Sequence, residues 1–325
     1  MQNRREFLAN SAKFTAALGA MAAFPSLLNA ANSNSAANSS KNSSNSSTNS
    51  TKNSTSKGVK MHSLTLNNGI QMPILGLGTS GLRGSSGQKA MESAIKIGYR
   101  LIDTAQMYGN EAEVGAAVTG SGLKASEFFI TTKLSSDMSY DEVLKSFEAS
   151  MKKLRLETLD LLLIHSTYPS AKAMYRAMER LYSEGRVRAL GISNFNAAEY
   201  SDFIGSCKVL PAVNQCQTHI FQQQKSLRAA MKAHGTALQS WSPFIAGKAS
   251  IFTNETLLKI AAKHGKSVAQ VILRFLIEQN IIVIPKSSNE GRLRENFAVF
   301  DFALDASDTK TLAAMDTNKS YFSWD

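Results

Sequence analysis

Cysteine is nearly absent from this sequence, with two in 325 residues, Cys207 and Cys216. No CxxC pair and no Cys/His spacing of the metal-ligand kind occurs, which argues against a zinc site, and no metal is expected. A disulfide between the two stays open in an oxidising compartment; two free, largely buried thiols is the preferred reading. A membrane-spanning run is also missing from the N-terminal region. Its apolar stretch, Phe14 to Phe24, falls short of the ~20 apolar residues a bilayer needs. Dense basic tracts are lacking as well. The formal charge is +11, but residues 1–57 supply +5 of it through Arg4, Arg5, Lys13, Lys41, Lys52 and Lys57 against Glu6, leaving +6 on residues 58–325. In that remainder no Lys/Arg run is interleaved with aromatics, so no nucleic-acid partner is expected. A mild positive field suits an anionic cofactor equally well.

What is present starts with an address. Gln2-Asn3-Arg4-Arg5-Glu6-Phe7-Leu8 resembles the twin-arginine export motif. A short Ala/Gly-rich apolar region follows, and Leu28-Asn29-Ala30 offers a small-residue cleavage site. Residues 1–31 are therefore expected to be a signal peptide, with the twin-arginine export machinery as partner and the periplasm as destination. Residues 32–57 are almost wholly Ser, Asn, Thr and Lys, a composition that cannot bury apolar surface and reads as a disordered linker. The folded part is expected over residues 58–325.

From residue 74 onward, short apolar or β-branched runs alternate with amphipathic stretches. The strand candidates are Ile74–Thr79, Leu101–Ala105, Phe128–Leu134, Leu159–Ser166, Val187–Asn194, Ala212–His219, Ala237–Pro243 and Ile281–Lys286. Between them Val143, Phe147 and Met151 recur at four-residue spacing, and Met174, Met178, Leu181 and Tyr182 form a second stripe. Gly185, Gly235 and Gly265 read as helix stops. Eight strand–helix units in ~250 residues predict a closed (β/α)8 TIM barrel of the α/β class. Ser63–Leu66, the turn Asn67-Asn68-Gly69 and Gln71–Met72 read as an N-terminal hairpin.

Two motifs compete with this reading. Gly76-Leu77-Gly78-Thr79-Ser80-Gly81 matches GxGxxG after a strand, and Asp103 lies about where a dinucleotide fold keeps its ribose acid. The last glycine, however, leads into Leu82-Arg83-Gly84-Ser85-Ser86-Gly87, read as more loop, and the unit count exceeds a usual Rossmann half. Tyr168-Pro169-Ser170-Ala171-Lys172 matches the YxxxK of short-chain dehydrogenases, but proline directly after the tyrosine opposes a mid-helix Tyr/Lys pair.

Polar residues recur at the ends of successive strands: Asp103 with Tyr108 just beyond, then Lys133, then His165. In a barrel these ends converge on one face, where active sites sit. One such residue is ordinarily a satisfied structural group. Four in consecutive units, of types that pass protons, point to chemistry. Asp103-Thr104-Ala105-x-x-Tyr108-Gly109-Asn110-Glu111, Thr132-Lys133, Leu163-Ile164-His165, Gly191-Ile192-Ser193-Asn194-Phe195, Val213-Asn214-Gln215 and Ile284-Pro285-Lys286-Ser287 resemble the successive signatures of aldo-keto reductases, in family order across residues 62–325. The stretch from Glu295-Asn296-Phe297 to Ser320 resembles the bacterial branch that includes methylglyoxal and diketogluconate reductases.

The resemblance implies NADPH-dependent reduction of a small aldehyde or ketone by a monomer, with the hairpin covering the barrel floor. Hydride delivered to a carbonyl carbon leaves an alkoxide that needs a proton. Tyr108 would give it; Lys133 would lower the phenol's pKa from ~10 by favouring the phenolate. Asp103 would hold Lys133 charged, and His165 would orient the carbonyl. For the cofactor, the resemblance puts Ser193, Asn194 and Gln215 on the carboxamide and Trp241 against the nicotinamide ring, and counts Thr79 and Asp103 among the binding residues. Lys286, Ser287 and Arg292 would grip the 2′-phosphate, with Glu295 and Asn296 near the adenine. Ser166-Thr167-Tyr168 and His219-Ile220 depart from the family's usual residues in loops that line the substrate pocket. The tail Tyr321-Phe322-x-Trp324 lids the pocket or packs the C-terminus. A non-catalytic NADPH-binding sensor or subunit is the alternative; the intact set of four argues against it.

Overall fold

The computed structural model describes residues 62–322. The expected signal peptide and linker lie outside the described residues. A two-stranded antiparallel hairpin comes first, β1 (Ser63–Thr65) paired with β2 (Gln71–Pro73). Its turn is tied down by side-chain amides: Asn67 Nδ2 donates to the Pro211 and His234 carbonyls at 3.1 and 3.3 Å, and Asn68 Nδ2 to the Arg188 carbonyl at 3.0 Å. These partners flank the N-terminal ends of barrel strands, so the hairpin closes the floor, as expected.

Eight parallel strands follow: β3 (Gly76–Gly78), β4 (Leu101–Asp103), β5 (Phe129–Leu134), β6 (Leu159–Ile164), β7 (Val187–Ser193), β8 (Val213–Gln217), β9 (Ala237–Trp241) and β10 (Ile282–Val283). They pair in chain order, and a parallel bridge between Leu75 and Val283 completes the ring, with Val283 N donating to Ile74 O at 2.9 Å. This is the (β/α)8 barrel that the alternation predicts. Its strands are largely buried on both faces, as in Leu159–Ile164, because one face fills the barrel and the other lies under helices. Each strand lies within the run predicted for it but is shorter at one or both ends. Among the trailing residues, the side chains of Thr104, Asn194 and His219 turn to local partners: Thr104 to Asn110, Asn194 to His165 and Trp241, and His219 to Gln217 and the Phe221 N–H.

The surrounding helices are α1 (Gly84–Ile97), α2 (Glu111–Thr119), α3 (Tyr140–Leu154), α4 (Ala171–Ser183), α5 (Ala197–Ile204), α6 (Lys225–Lys232), α7 (Glu255–His264), α8 (Val268–Glu278), α9 (Glu290–Phe297) and α10 (Ala306–Ala314). Helix α3 shows how sequence fixes such an element. Ser139 and Glu142 form a capping box at its start, and Val143, Phe147 and Met151 fall on one face and are buried. Each such side chain contributes about 1.5–3 kcal/mol of burial. Helix α1 differs from expectation. It begins at Gly84, inside the stretch read as loop, because Ala90, Met91, Ala94 and Ile95 bury a common face that outweighs the glycines before it. The Rossmann alternative is excluded by the ring of eight strands. Tyr168 precedes α4, and Lys172 pairs with Asp202 at 2.7 Å, so the YxxxK match carries no Tyr/Lys pair. No disulfide joins Cys207, which is half-buried, to Cys216, which is buried.

Strand packing is tight where β7 passes between β6 and β8. A Cβ on Gly191 would lie 2.5 Å from Leu163 Cδ2 and 2.6 Å from Val213 O. Gly191→Ala is expected to cost about 1–3 kcal/mol, lowering Tm by roughly 2–4 °C per kcal/mol at this chain size. Gly205→Ala, at a negative φ with only Asp202 O at 3.8 Å, is the control and should leave Tm unchanged or slightly raised. Equal melting of the two variants would show that β7 and β8 can part without cost.

Candidate active site

Strand β5 carries Lys133 into the barrel mouth, where its side chain is fully buried. An ammonium there stays charged only beside a fixed carboxylate. Asp103, at the end of neighbouring β4, supplies it: Lys133 Nζ donates to Asp103 Oδ1 at 2.5 Å and to the Thr104 carbonyl at 2.8 Å. The third ammonium proton faces the Tyr108 hydroxyl at 3.5 Å, and Nζ lies 4.9 Å from that ring's centroid. Burial alone would pull the Lys133 pKa down; the Asp103 carboxylate and Tyr108 more than offset it and hold the ammonium above its ordinary value.

The carboxylate is itself locked. Gln215 Nε2 donates to Asp103 Oδ2 at 2.7 Å and to Gln239 Oε1 at 2.9 Å. Thr79 donates to the Asp103 carbonyl through both its amide and its hydroxyl. Asn110 joins the loops below Tyr108: it accepts the Thr104 hydroxyl at 2.6 Å and donates to the Thr79 and Leu82 carbonyls at 2.8 and 2.7 Å. Arg83 Nε adds a bond to the Tyr108 carbonyl at 2.6 Å.

Tyr108 and His165 stand edge to face, with ring centroids 5.6 Å apart. Burial raises the Tyr108 pKa, and the Lys133 ammonium, which pulls it down, does not reverse the shift. Lys133 thus acts in the expected direction, but desolvation outweighs it, and the phenol keeps its proton at neutral pH. His165 is pushed well below the ordinary imidazole value, first by burial and then by Lys133, and is neutral in the same range. Its carbonyl accepts from Asn194 Nδ2 at 3.1 Å, while Asn194 Oδ1 accepts the Trp241 indole N–H at 2.8 Å. Ser193 Oγ donates to the Gln215 carbonyl at 2.8 Å. One hydrogen-bonded network thus joins Thr79, Asp103, Tyr108, Lys133, His165, Ser193, Asn194, Gln215 and Trp241.

A second group lies beyond β10, whose neighbour across the ring closure is β3; Gly78 N donates to the Pro285 carbonyl at 3.4 Å. Lys286 is half-buried, and its pKa is lowered by burial and then by the nearby Arg292. Among the described residues no ion pair engages either cation. Asn289 caps α9 by accepting the Arg292 N–H at 3.0 Å, and that helix also carries Glu295 and buried Asn296. The Ser287 hydroxyl turns onto the Asn289 backbone. Two close cations with no acid partner, at a helix N-terminus, are chemically suited to a phosphate dianion. Phe322 packs edge-on against Trp241 at 5.3 Å, and Lys248 Nζ donates to the Tyr321 carbonyl at 2.7 Å, so the described tail lies beside the indole; Trp324 is outside the described residues.

Sequence reasoning missed two residues here. Gln239 orients Gln215, and Ser135 touches His165. Both lie two positions from a residue already singled out, Trp241 and Lys133, and period-two alternation along a strand was the signal that places them on the same face.

The aldo/keto reductase family model matches residues 74–317. The chain is 42% identical over 262 residues to a 9,11-endoperoxide prostaglandin H2 reductase of Trypanosoma cruzi, covering 79% of this chain and 92% of that one. It is 40% identical over 262 residues to a glyoxal reductase of Bacillus subtilis, covering 79% and 94%. Among solved structures, an aldo-keto reductase from a Medee basin deep-sea metagenome library superposes with TM-score 0.79 at 41% identity, covering 81% of this chain and 98% of that one. A Bombyx mori aldo-keto reductase in complex with NADP gives TM-score 0.74 at 32% identity, covering 81% and 95%. The chain belongs to the aldo/keto reductase family. It is an oxidoreductase of that family, whose members use nicotinamide cofactors.

Because Lys133 is the second cause of the His165 shift, removing that cation should ease protonation of the ring. In Lys133→Met the His165 midpoint, followed by NMR of its ring protons, is expected to rise from its wild-type value well below 6.5. A midpoint that stays put or falls would mean that Lys133 does not act on His165.

Proposed function

We propose that this protein reduces small aldehydes and ketones to alcohols with NADPH, and that Tyr108 is the general acid. The observation that carries the reading is the buried Lys133 ammonium, held by Asp103 and set at the limit of hydrogen bonding to the Tyr108 hydroxyl. NADPH, when bound, supplies the hydride. Tyr108 holds a proton at Oη through neutral pH, ready for the far more basic alkoxide oxygen. Lys133 favours the phenolate left behind, Asp103 keeps Lys133 charged, and His165 orients the carbonyl oxygen from its uncommitted Nε2. Ser193, Asn194 and Gln215 would hold the NADPH carboxamide, with Trp241 against the nicotinamide ring. Thr79 and Asp103 would complete the cofactor site, while Lys286, Ser287 and Arg292 would bind the 2′-phosphate, with Glu295 and Asn296 near the adenine. The names of similar proteins, a glyoxal reductase of Bacillus subtilis and a methylglyoxal reductase of Yersinia pestis, favour small dicarbonyls as first substrates to try. The enzyme is taken to act as a monomer.

NADPH oxidation by the purified protein, screened against glyoxal, methylglyoxal and sugar-derived carbonyls, tests the reading. Tyr108→Phe should retain under about a tenth of wild-type turnover, in line with the ~10²–10⁴-fold worth of a positioned acid, while NADPH binding survives. Retention of more than that would remove Tyr108 from the role. Cofactor choice has its own test. Arg292→Ala should raise KM for NADPH and leave KM for NADH almost unchanged, whereas equal loss for both would make Arg292 a support of the fold.

Export is proposed on sequence alone. Arg4-Arg5-x-Phe7-Leu8 and the weakly apolar stretch after it mark residues 1–31 as a twin-arginine signal, residues 32–57 as a linker, and the periplasm as destination. A barrel that must meet NADPH in the cytoplasm suits a route that carries folded proteins. Fractionation of cells carrying the full chain, beside a strain with Arg4→Lys and Arg5→Lys together, should show periplasmic protein only in the first. Periplasmic protein in both would reject this route, and protein confined to the cytosol in both would reject export.

A further inference from the structure

His165 is tied into the site through a side chain that the proposed mechanism does not use. Its Nδ1 lies 3.0 Å from the Ser135 hydroxyl. The same hydroxyl accepts the Met107 N–H at 3.1 Å and lies 3.1 Å from the Lys133 carbonyl. Ser135 therefore touches three things at once: the strand end that bears Lys133, the turn that bears Tyr108, and the ring of His165. It is not free to drift. Its own N–H donates to Gln106 Oε1 at 3.3 Å, and Gln106 Nε2 donates to the Ser146 and Ser150 hydroxyls of α3 at 2.7 and 3.0 Å.

A serine hydroxyl has one proton and two lone pairs. The Met107 N–H takes one lone pair, which leaves two arrangements. In the first, Ser135 donates to the Lys133 carbonyl and receives the Nδ1–H of His165; Nε2 is then a bare lone pair. In the second, Ser135 donates to Nδ1, and the ring carries its proton on Nε2. Both hold the same two protons, one on the ring and one on the hydroxyl, so they interconvert by tautomerisation through solvent with no net gain or loss. A neutral imidazole has a single proton to place. A carbonyl oxygen only accepts, so only the second arrangement can meet it.

We propose that Ser135 is a positioning residue whose hydroxyl, by turning from the Lys133 carbonyl to His165 Nδ1, fixes the Nε2–H tautomer and makes His165 the donor that orients the substrate carbonyl. The proposal rests on the carbonyl-reductase reading above. It also explains why the hydroxyl is anchored by the Met107 amide: that bond keeps one lone pair occupied in either state and leaves the proton as the only thing to rearrange.

The test uses the full chain labelled with 15N-histidine, in the dead-end complex with NADP+ and 4-nitrobenzaldehyde, where no hydride is available. Wild type is expected to show His165 protonated at Nε2 and bare at Nδ1, and Ser135→Ala to lose that preference. In turnover with NADPH and the same aldehyde, Ser135→Ala should lose kcat/KM roughly tenfold, the scale of one hydrogen bond to a reacting group, with NADPH affinity unchanged. Ser135→Thr, which keeps the hydroxyl, should restore both the tautomer and most of the rate. Nδ1 protonated in the wild-type complex would overturn the proposal, as would a Ser135→Ala ring and rate that match wild type. Wild type that oxidises no NADPH with any carbonyl would instead sink the reductase reading, a result separable from the tautomer because the ring is read without turnover.

Discussion

Placing an ammonium in the closed mouth of a barrel costs several kcal/mol of hydration unless a fixed carboxylate and further acceptors replace the lost water. The Lys133–Asp103 pair meets that condition, and the rest of the site is arranged around keeping it met. Asp103 Oδ1 takes the ammonium, Gln215 takes Oδ2, and Thr79 fixes the backbone of Asp103 from the neighbouring strand. The Thr104 carbonyl fills a second ammonium proton and leaves the third for Tyr108. Remove the carboxylate and the cation has no reason to stay charged; remove the cation and a buried carboxylate stands unpaired.

The fold supplies what the pair cannot supply for itself. Asp103, Lys133 and Gln215 come from three strands of one ring, and Tyr108 and His165 from the segments just past two strand ends. Parallel register puts all of these ends on one face. The turn that carries Tyr108 gains its position from Asn110 and Arg83, and His165 gains its own from Asn194 and Ser135. Ring closure between β10 and β3 brings Lys286 and Arg292 to the same rim. Two cations there lack an acid partner among the described residues, which is the electrostatic complement of an anionic cofactor.

Much of this was legible in the sequence because strand cores are short apolar runs with sharp boundaries, as Leu159–Ile164 is. Strand ends were less legible. Thr104 and Asn194 continue a strand-like composition, and their N–H groups still bond to the Thr131 and Gln215 carbonyls, but their side chains turn to partners beyond the strand ends. Helix α1 was hidden by Gly84-Ser85-Ser86-Gly87, whose poor helix propensity is overruled by packing that local composition does not encode. The four-residue set of Asp103, Tyr108, Lys133 and His165 was readable from strand-end position and family motif. Its electrostatics were not: the sequence gives no measure of burial, and burial decides the net direction of the Tyr108 shift. Ser135 and Gln239 escaped notice because a lone serine or glutamine beside a strand end has no chemical signature until its partners are known.

A double-mutant cycle on Asp103→Asn and Lys133→Met tests the central interaction most directly, read in both thermal stability and carbonyl-dependent NADPH oxidation. If the two side chains act as one buried unit, each single variant loses most of the activity and the double variant is little worse than either, with a coupling well beyond the ~0.3–0.5 kcal/mol scatter of independent sites. Losses that simply add, in stability and in turnover, would contradict the claim that this pair holds the site together.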